Sequence, residues 1–254
     1  MPHECDTAHR DSAHGNSARF HIVCSDQARN GKTLVARLLC DFLILSRRAP
    51  LIFDAAPSTG GLRSWFPARA TKVELSTTAG QMALFDRALA RPLHDCVVDL
   101  PAHLLPAAAD LMRHIGFGQE RHTPGLELVV LYVADRTVDS LLAGRKLRGL
   151  LRPARFIVVK NEAILHDEPD RVAKFLYDGL AREGQLVVPE LDGAVTAAIE
   201  DKTFSFRRFA EEEQPTNLPP QVCEGIEDVL SRVFRQFDLL GLGSDRKPRA
   251  AAGV

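Results

Sequence analysis

Gly31-Lys32-Thr33 is the first place in the sequence where residue types and their order point to chemistry. The triplet stands between a short apolar run, Phe20 to Cys24 (FHIVC), and a helical pattern that extends from Thr33 to Arg47. A turn between a strand and a helix aims its backbone N–H groups, together with those of the first helical turn, at a single point, and that point suits phosphate oxygens. Lys32 adds an ammonium beside the β- and γ-phosphates, and the Thr33 hydroxyl is a ligand for Mg²⁺. Three letters recur by chance in many chains, so the weight lies in the strand, loop and helix around them. The alternative is an ordinary loop with a surface lysine. Asp26, Ala28 and Arg29 stand where such loops usually carry further glycines, and the Cβ atoms of Ala28 and Arg29 oppose positive φ and close approach to phosphate.

Two carboxylates lie where neighbouring strands should end. Asp99 is the penultimate residue of CVVDL (96 to 100) and Asp54 closes PLIFD (50 to 54). At a strand tip beside the loop, Asp99 would hold Mg²⁺ through a water and offset the charge of the phosphates, and Asp54 would orient or polarise the attacking water. Each has a plainer alternative as a loop-capping carboxylate.

These residues need a scaffold, and the chain supplies a regular one. Candidate strands are FHIVC (20 to 24), PLIFD (50 to 54), CVVDL (96 to 100), LELVVLYVA (126 to 134), ARFIVVK (154 to 160) and QLVV (185 to 188). Their continuous apolarity fits strands covered on both faces. Helical patterns follow at 33 to 47, 79 to 90, 104 to 116, 138 to 151, 168 to 182 and 193 to 201. The alternation predicts an α/β fold, a doubly wound, mainly parallel sheet between two helical layers (three-layer αβα) with a C-terminal helix, and the Gly-Lys-Thr loop makes it P-loop NTPase-like. Ligands in such folds bind beyond the carboxyl ends of the strands, which is where Lys32, Asp54 and Asp99 fall. The segment 78 to 89 carries Met82, Phe85 and Leu89 as an expected core stripe.

The 254 residues suit one nucleotide-binding domain, residues 19 to 210, preceded by a polar tail, 1 to 18, with His3, His9 and His14. An acidic, proline-bearing linker after Phe209 leads to an amphipathic helix, 211 to 242 together, and a frayed tail covers 243 to 254. The helix places Val222, Ile226, Val229, Leu230, Val233, Phe234, Phe237 and Leu240 on one stripe, expected to pack on the domain; its acidic Glu224, Glu227, Asp228 and Asp238 argue against a membrane surface. Scattered cysteines, a net charge of −1 and no apolar run long enough to cross a bilayer predict a cytoplasmic protein with no global pull toward nucleic acid. Arg145, Lys146, Arg148, Arg152 and Arg155 form one local basic cluster.

Taken in order, these motifs resemble the ParA/MinD group of deviant P-loop ATPases from about Phe20 to Phe209. The family loop Lys-Gly-Gly-x-Gly-Lys-Thr aligns with Gln27, Ala28, Arg29, Asn30, Gly31, Lys32 and Thr33. Asp54 and Pro57 resemble its Asp-x-Asp-Pro switch, Asp99 its Walker B acid, Asn161 the asparagine that reads adenine, and Pro189 the proline that flanks the base. The resemblance implies ATP and Mg²⁺ as cofactors, a homodimer formed with nucleotide, and a positioning switch acting on a partner or cargo protein. It also brings DNA binding, through the basic cluster, into consideration. The chain departs from the family where its chemistry is most exacting: the signature lysine is Gln27 and the second switch aspartate is Ala56. A cation supplied across a dimer is worth roughly 10³ to 10⁵ in rate, so slow hydrolysis is expected unless Arg29 compensates. A non-catalytic nucleotide-binding adaptor is the alternative, and a ligase of the dethiobiotin or cobyrinate synthetase type is the second.

Overall fold

A computed structural model describes residues 18 to 56, 60 to 91, 93 to 135, 137 to 164, 170 to 211 and 217 to 243. The histidines of the N-terminal tail, Pro57, residues 212 to 216 of the linker and the last eleven residues lie outside these. Seven strands form one parallel sheet: β1 (Ala18–Cys24), β2 (Leu51–Asp54), β3 (Ala70–Lys72), β4 (Cys96–Asp99), β5 (Leu126–Ala134), β6 (Arg155–Asn161) and β7 (Gln185–Val188), in the order β3-β2-β4-β1-β5-β6-β7. The six predicted strands are all present. The seventh, β3, is a three-residue edge strand paired with β2 through Ile52–Ala70, Phe53–Thr71 and Asp54–Lys72, too short to show a period of its own.

The helices are α1 (Lys32–Leu45), α2 (Thr78–Leu89), α3 (Leu105–Ile115), α4 (Val138–Leu150), α5 (Arg171–Leu180), α6 (Gly193–Glu200), α7 (Phe206–Glu211) and α8 (Pro220–Leu239). Helix α7 is an addition to the expected helices: it begins in the closing segment of the domain and runs two residues into the stretch read as linker. The period of two along β5 shows how the layers arise. Leu128, Val130 and Tyr132 face the core under α2 to α5, and Val129, Leu131 and Val133 face the core under α1 and α6 to α8. Both faces are sealed, so the fold is a three-layer αβα sandwich.

Helix α8 belongs to the second core. Val222, Ile226, Val229, Leu230, Val233 and Phe237 are buried, and Phe237 packs its ring 5.2 Å from that of Phe42 in α1. At the margin of the sheet, the Gln236 amide nitrogen donates to Val187 O at 2.9 Å and its oxygen accepts from Val187 N at 2.7 Å. The stripe expected on α2 is shifted: Leu84, Phe85 and Ala88 are buried, whereas Met82 and Leu89 are 58% and 46% exposed. The buried face of α2 is therefore centred one residue away from the face that Met82 and Leu89 define.

Below the sheet, opposite the strand ends that carry the motif residues, buried Arg19 binds Glu127 at 2.9 Å and the Leu242 carbonyl at 3.2 Å. Its backbone N–H donates to Asp95, which also pairs with Arg48. His21 sits just above, fully buried, with Nδ1 3.1 Å from Cys96 O and no partner for Nε2 among the described residues. Burial pulls the imidazole pKa down to about 4, against the opposing pull of Asp95. The folded state thus holds His21 neutral while the unfolded chain titrates near 6.5. A depressed basic pKa contributes stability that is complete above pH 6.5 and is lost as pH falls toward 4, on the order of 3 kcal/mol in all. His21→Leu is expected to flatten that part of the acid limb. Unfolding midpoints of wild type and variant, taken from pH 7 to 4.5, check this: the gap between them should change steadily in favour of the variant as pH falls.

Candidate functional site

The loop between β1 and α1 keeps its shape with few glycines. Gly31 has φ 91° and Arg29 has φ 59°, both in the left-handed region. At Gly31 a Cβ would meet Asn161 Nδ2 at 2.5 Å, so this glycine is required by space as well as by φ. Arg29 adopts the same region with a side chain attached, a strain of about 1 to 2 kcal/mol that surrounding contacts must offset.

Those contacts are side-chain hydrogen bonds. Asn30, 3% exposed, donates its amide to Val133 O at 3.0 Å and to the Ser25 hydroxyl. Asp26 accepts from the hydroxyls of Tyr132 and Ser140, both at 2.6 Å, and from Gln27 Nε2 at 3.1 Å. Asn161 donates Nδ2 to Asn30 O at 3.1 Å. The loop is therefore braced by β5, α4 and β6 together.

Lys32 folds back over this frame. Its ammonium donates to Gln27 O at 2.5 Å and to Asn30 Oδ1 at 3.1 Å, and only 8% of the residue is exposed. Burial lowers its pKa, with Asp99 acting the other way. One residue on, Thr33 Oγ1 donates to Asp99 Oδ2 at 2.6 Å. Asp99 is buried at the tip of β4, and burial raises its pKa to about 6; the nearby Asp54 adds to the rise, while the Thr33 hydrogen bond and Lys32 oppose it.

Asp54 stands beside Asp99 in the β2–β4 register and is 3% exposed. Its Oδ1 accepts from Ala56 N and its Oδ2 from Arg63 N, both at 2.9 Å. A Cβ at Gly61 would lie 2.2 Å from the same carboxylate. Both oxygens thus fasten the chain that returns from β2.

A cleft of about 930 Å³ opens above these groups. The loop from Ala28 to Thr33 forms one wall, with Asp99, Gly60, Trp65 and Leu191 among the residues opposite. Among the described residues no side chain caps the first turn of α1, so its N–H groups remain available at the cleft. Of the residues singled out in the sequence, Asp26, Ala28, Arg29, Asn30, Gly31, Lys32, Thr33, Ala56 and Asp99 border the cleft. Gln27, Asp54, Asn161 and Pro189 do not. Gln27 is exposed, Pro189 is buried, and Asn161 is engaged with Asn30 and, through Oδ1, with Ala163 N at 3.2 Å.

Sequence reading missed the braces Ser25, Tyr132 and Ser140 and the cleft residue Trp65. Tyr132 carried one faint signal, a single hydroxyl inside an apolar strand. The basic cluster is divided: Arg148 donates to Gly179 O at 2.8 Å, and Arg155 is half-buried at the start of β6, its guanidinium near Glu127 and Glu183. Among the described residues no group of three or more His, Cys, Asp or Glu is placed to hold a metal ion, and no helix is long and apolar enough to cross a membrane.

An uncapped helix start, an ammonium, and a hydroxyl hydrogen-bonded to a carboxylate form a donor set suited to a phosphate group and its Mg²⁺, which takes oxygen ligands. No protein-family model and no curated protein sequence matches the chain. Among solved structures it is similar to the MinC:MinD cell division protein complex of Aquifex aeolicus (14% identity, covering 86% of this chain and 96% of that chain, TM-score 0.47). It is also similar to the MinD cell division protein of Aquifex aeolicus (15% identity, 86% and 97%, TM-score 0.46).

The packing of Gly31 on Asn161 sets an expectation. Gly31→Ala should lower stability by about 1 to 3 kcal/mol through backbone strain and the clash together. Gly31→Ala with Asn161→Ala should recover the clash part alone. Urea unfolding of the two single variants and the double variant measures the coupling.

Proposed function

We propose that this chain is a ParA/MinD-like nucleotide-binding protein that takes Mg-ATP at the β1–α1 loop. In this reading it hydrolyses ATP slowly and uses the bound state as a dimerisation and positioning switch for a partner or cargo protein. The observation that carries the reading is the Thr33–Asp99 hydrogen bond set beside the Lys32 ammonium, at an uncapped helix start that opens on the cleft. The helix start and Lys32 attract the phosphates, and Thr33 and Asp99 would hold Mg²⁺. Bound Mg²⁺ supplies charge neutralisation at the phosphates. Lys32 must leave Gln27 O and Asn30 Oδ1 to meet a phosphate, so binding exchanges two internal acceptors for a charged one.

The adaptor reading has its own support. Gln27 and Ala56 lack the charges that the resemblance would place there, and both oxygens of Asp54 are held by backbone amides, which opposes a role in activating water. The ligase reading has no comparable support.

Calorimetric titration with Mg-ATP, with molecular mass followed by light scattering, tests the proposal. Wild type should bind, and Lys32→Ala should weaken binding by about 10- to 100-fold, the worth of a charged hydrogen bond. A rise in mass on binding favours the switch, and binding at constant mass favours the adaptor. Steady-state phosphate release should be slow in wild type and faster in Gln27→Lys. Absence of binding by wild type removes both readings.

A further inference from the structure

The cleft is wider than its phosphate end, and its remaining surface has a different chemistry. Beyond the loop, apolar lining comes from Leu34, Trp65, Leu191 and Ile199, and polar lining from Arg37, His103, Thr196 and Glu200. Charged phosphate oxygens lose hydration against the apolar lining and gain nothing in return. An uncharged, planar part of a ligand suits it. The two residues assigned to the base by resemblance, Asn161 and Pro189, do not border the cleft, so a base seated within it would meet other side chains.

Trp65 is the only Phe, Tyr or Trp among the described residues that line the cleft, and it is the only tryptophan of the chain. Its ring is held in advance. The Arg37 guanidinium lies over it, 4.1 Å from the ring centroid, and is itself fixed by a 2.8 Å hydrogen bond to Ile199 O and by the ring of Phe206 at 5.1 Å. The backbone is fixed as well: Trp65 N donates to Leu62 O at 3.1 Å, and Asp54 clamps Arg63 N and leaves no room for a side chain at Gly61. A large ring that loses little freedom on binding is what an aromatic contact needs to be effective.

Building on the nucleotide reading above, we propose that Trp65 is the stacking platform for the base of the bound nucleotide, with Arg37 and Asp54 as the positioning residues that fix its ring. The carboxylate of Asp54 then acts on recognition through the 61 to 65 segment, where it accepts a hydrogen bond from Arg63 N–H. Stacking of this kind tolerates any base, because each has a π-face.

The single tryptophan makes the test direct. Mg-ATP and Mg-tripolyphosphate are titrated against the full chain, following Trp65 fluorescence for wild type and heat for wild type, Trp65→Phe, Trp65→Ala and Lys32→Ala. Expected results are quenching by Mg-ATP without quenching by tripolyphosphate, and an affinity of Trp65→Ala for Mg-ATP about 10-fold weaker, with tripolyphosphate binding unchanged. Trp65→Phe should retain most of the Mg-ATP affinity, and retained tripolyphosphate binding shows that each variant is folded. Equal losses for both ligands in Trp65→Ala, or no loss for Mg-ATP, would overturn the platform while leaving the phosphate site standing. Failure of wild type to bind either ligand removes the phosphate site and the platform together, and Lys32→Ala identifies the phosphate site independently by weakening both ligands.

Discussion

The site depends on the hydrogen bonds that hold the β1–α1 loop in shape. A loop that cradles phosphate must turn its N–H groups inward, and glycine usually makes this turn without strain. Here Arg29 occupies a left-handed conformation, and the shape is enforced from outside by Asn30 on Val133 O, Asp26 on Tyr132 and Ser140, and Asn161 on Asn30 O. These partners come from β5, α4 and β6, so the loop's geometry is a property of the folded sheet. Local sequence alone does not specify it.

The same network places the charges. Lys32 is held by loop acceptors, Thr33 by Asp99, and Asp54 by the amides of Ala56 and Arg63. Three ionisable groups are thereby buried within one strand end of each other, and each alters the charge balance of the next. Burial raises the pKa of Asp99 while Lys32 opposes the shift, so a cation arriving between Asp99 and a phosphate would relieve a carboxylate that the fold has left poorly solvated. The strand ends thus hold an ammonium and two carboxylates in one poorly solvated group.

Much of this was legible in the sequence, for physical reasons. The nine-residue run of β5 and the short β-branched runs beside it identify a doubly covered parallel sheet, and strand ends locate Lys32, Thr33, Asp54 and Asp99 without further information. The rest rests on contacts between distant segments. Asp26 meets partners 106 and 114 residues away, and nothing local marks it as a brace. Trp65 follows a turn whose form is set by Asp54 nine residues before Arg63. Strand β3 is too short for a periodic signal, and the buried side of α2 is decided by which neighbours it meets, so Met82 and Leu89 were misread. Asn161 was recognisable as a strand-end amide, but the partner of that amide was not.

Gln236 has a consequence for the solubility of the fold. A parallel sheet ends in a strand whose outer N–H and C=O groups are an open template for another chain. On β7 the carboxamide of Gln236 occupies the N–H and C=O of Val187 as a neighbouring strand would, and it is carried by a helix that cannot extend the ladder. The opposite margin ends in a three-residue strand with a lysine at its tip, a short and charged border. One glutamine and one abbreviated strand thus guard the sheet against growing into its neighbours, and they do so at the two places where a doubly wound architecture is otherwise unprotected.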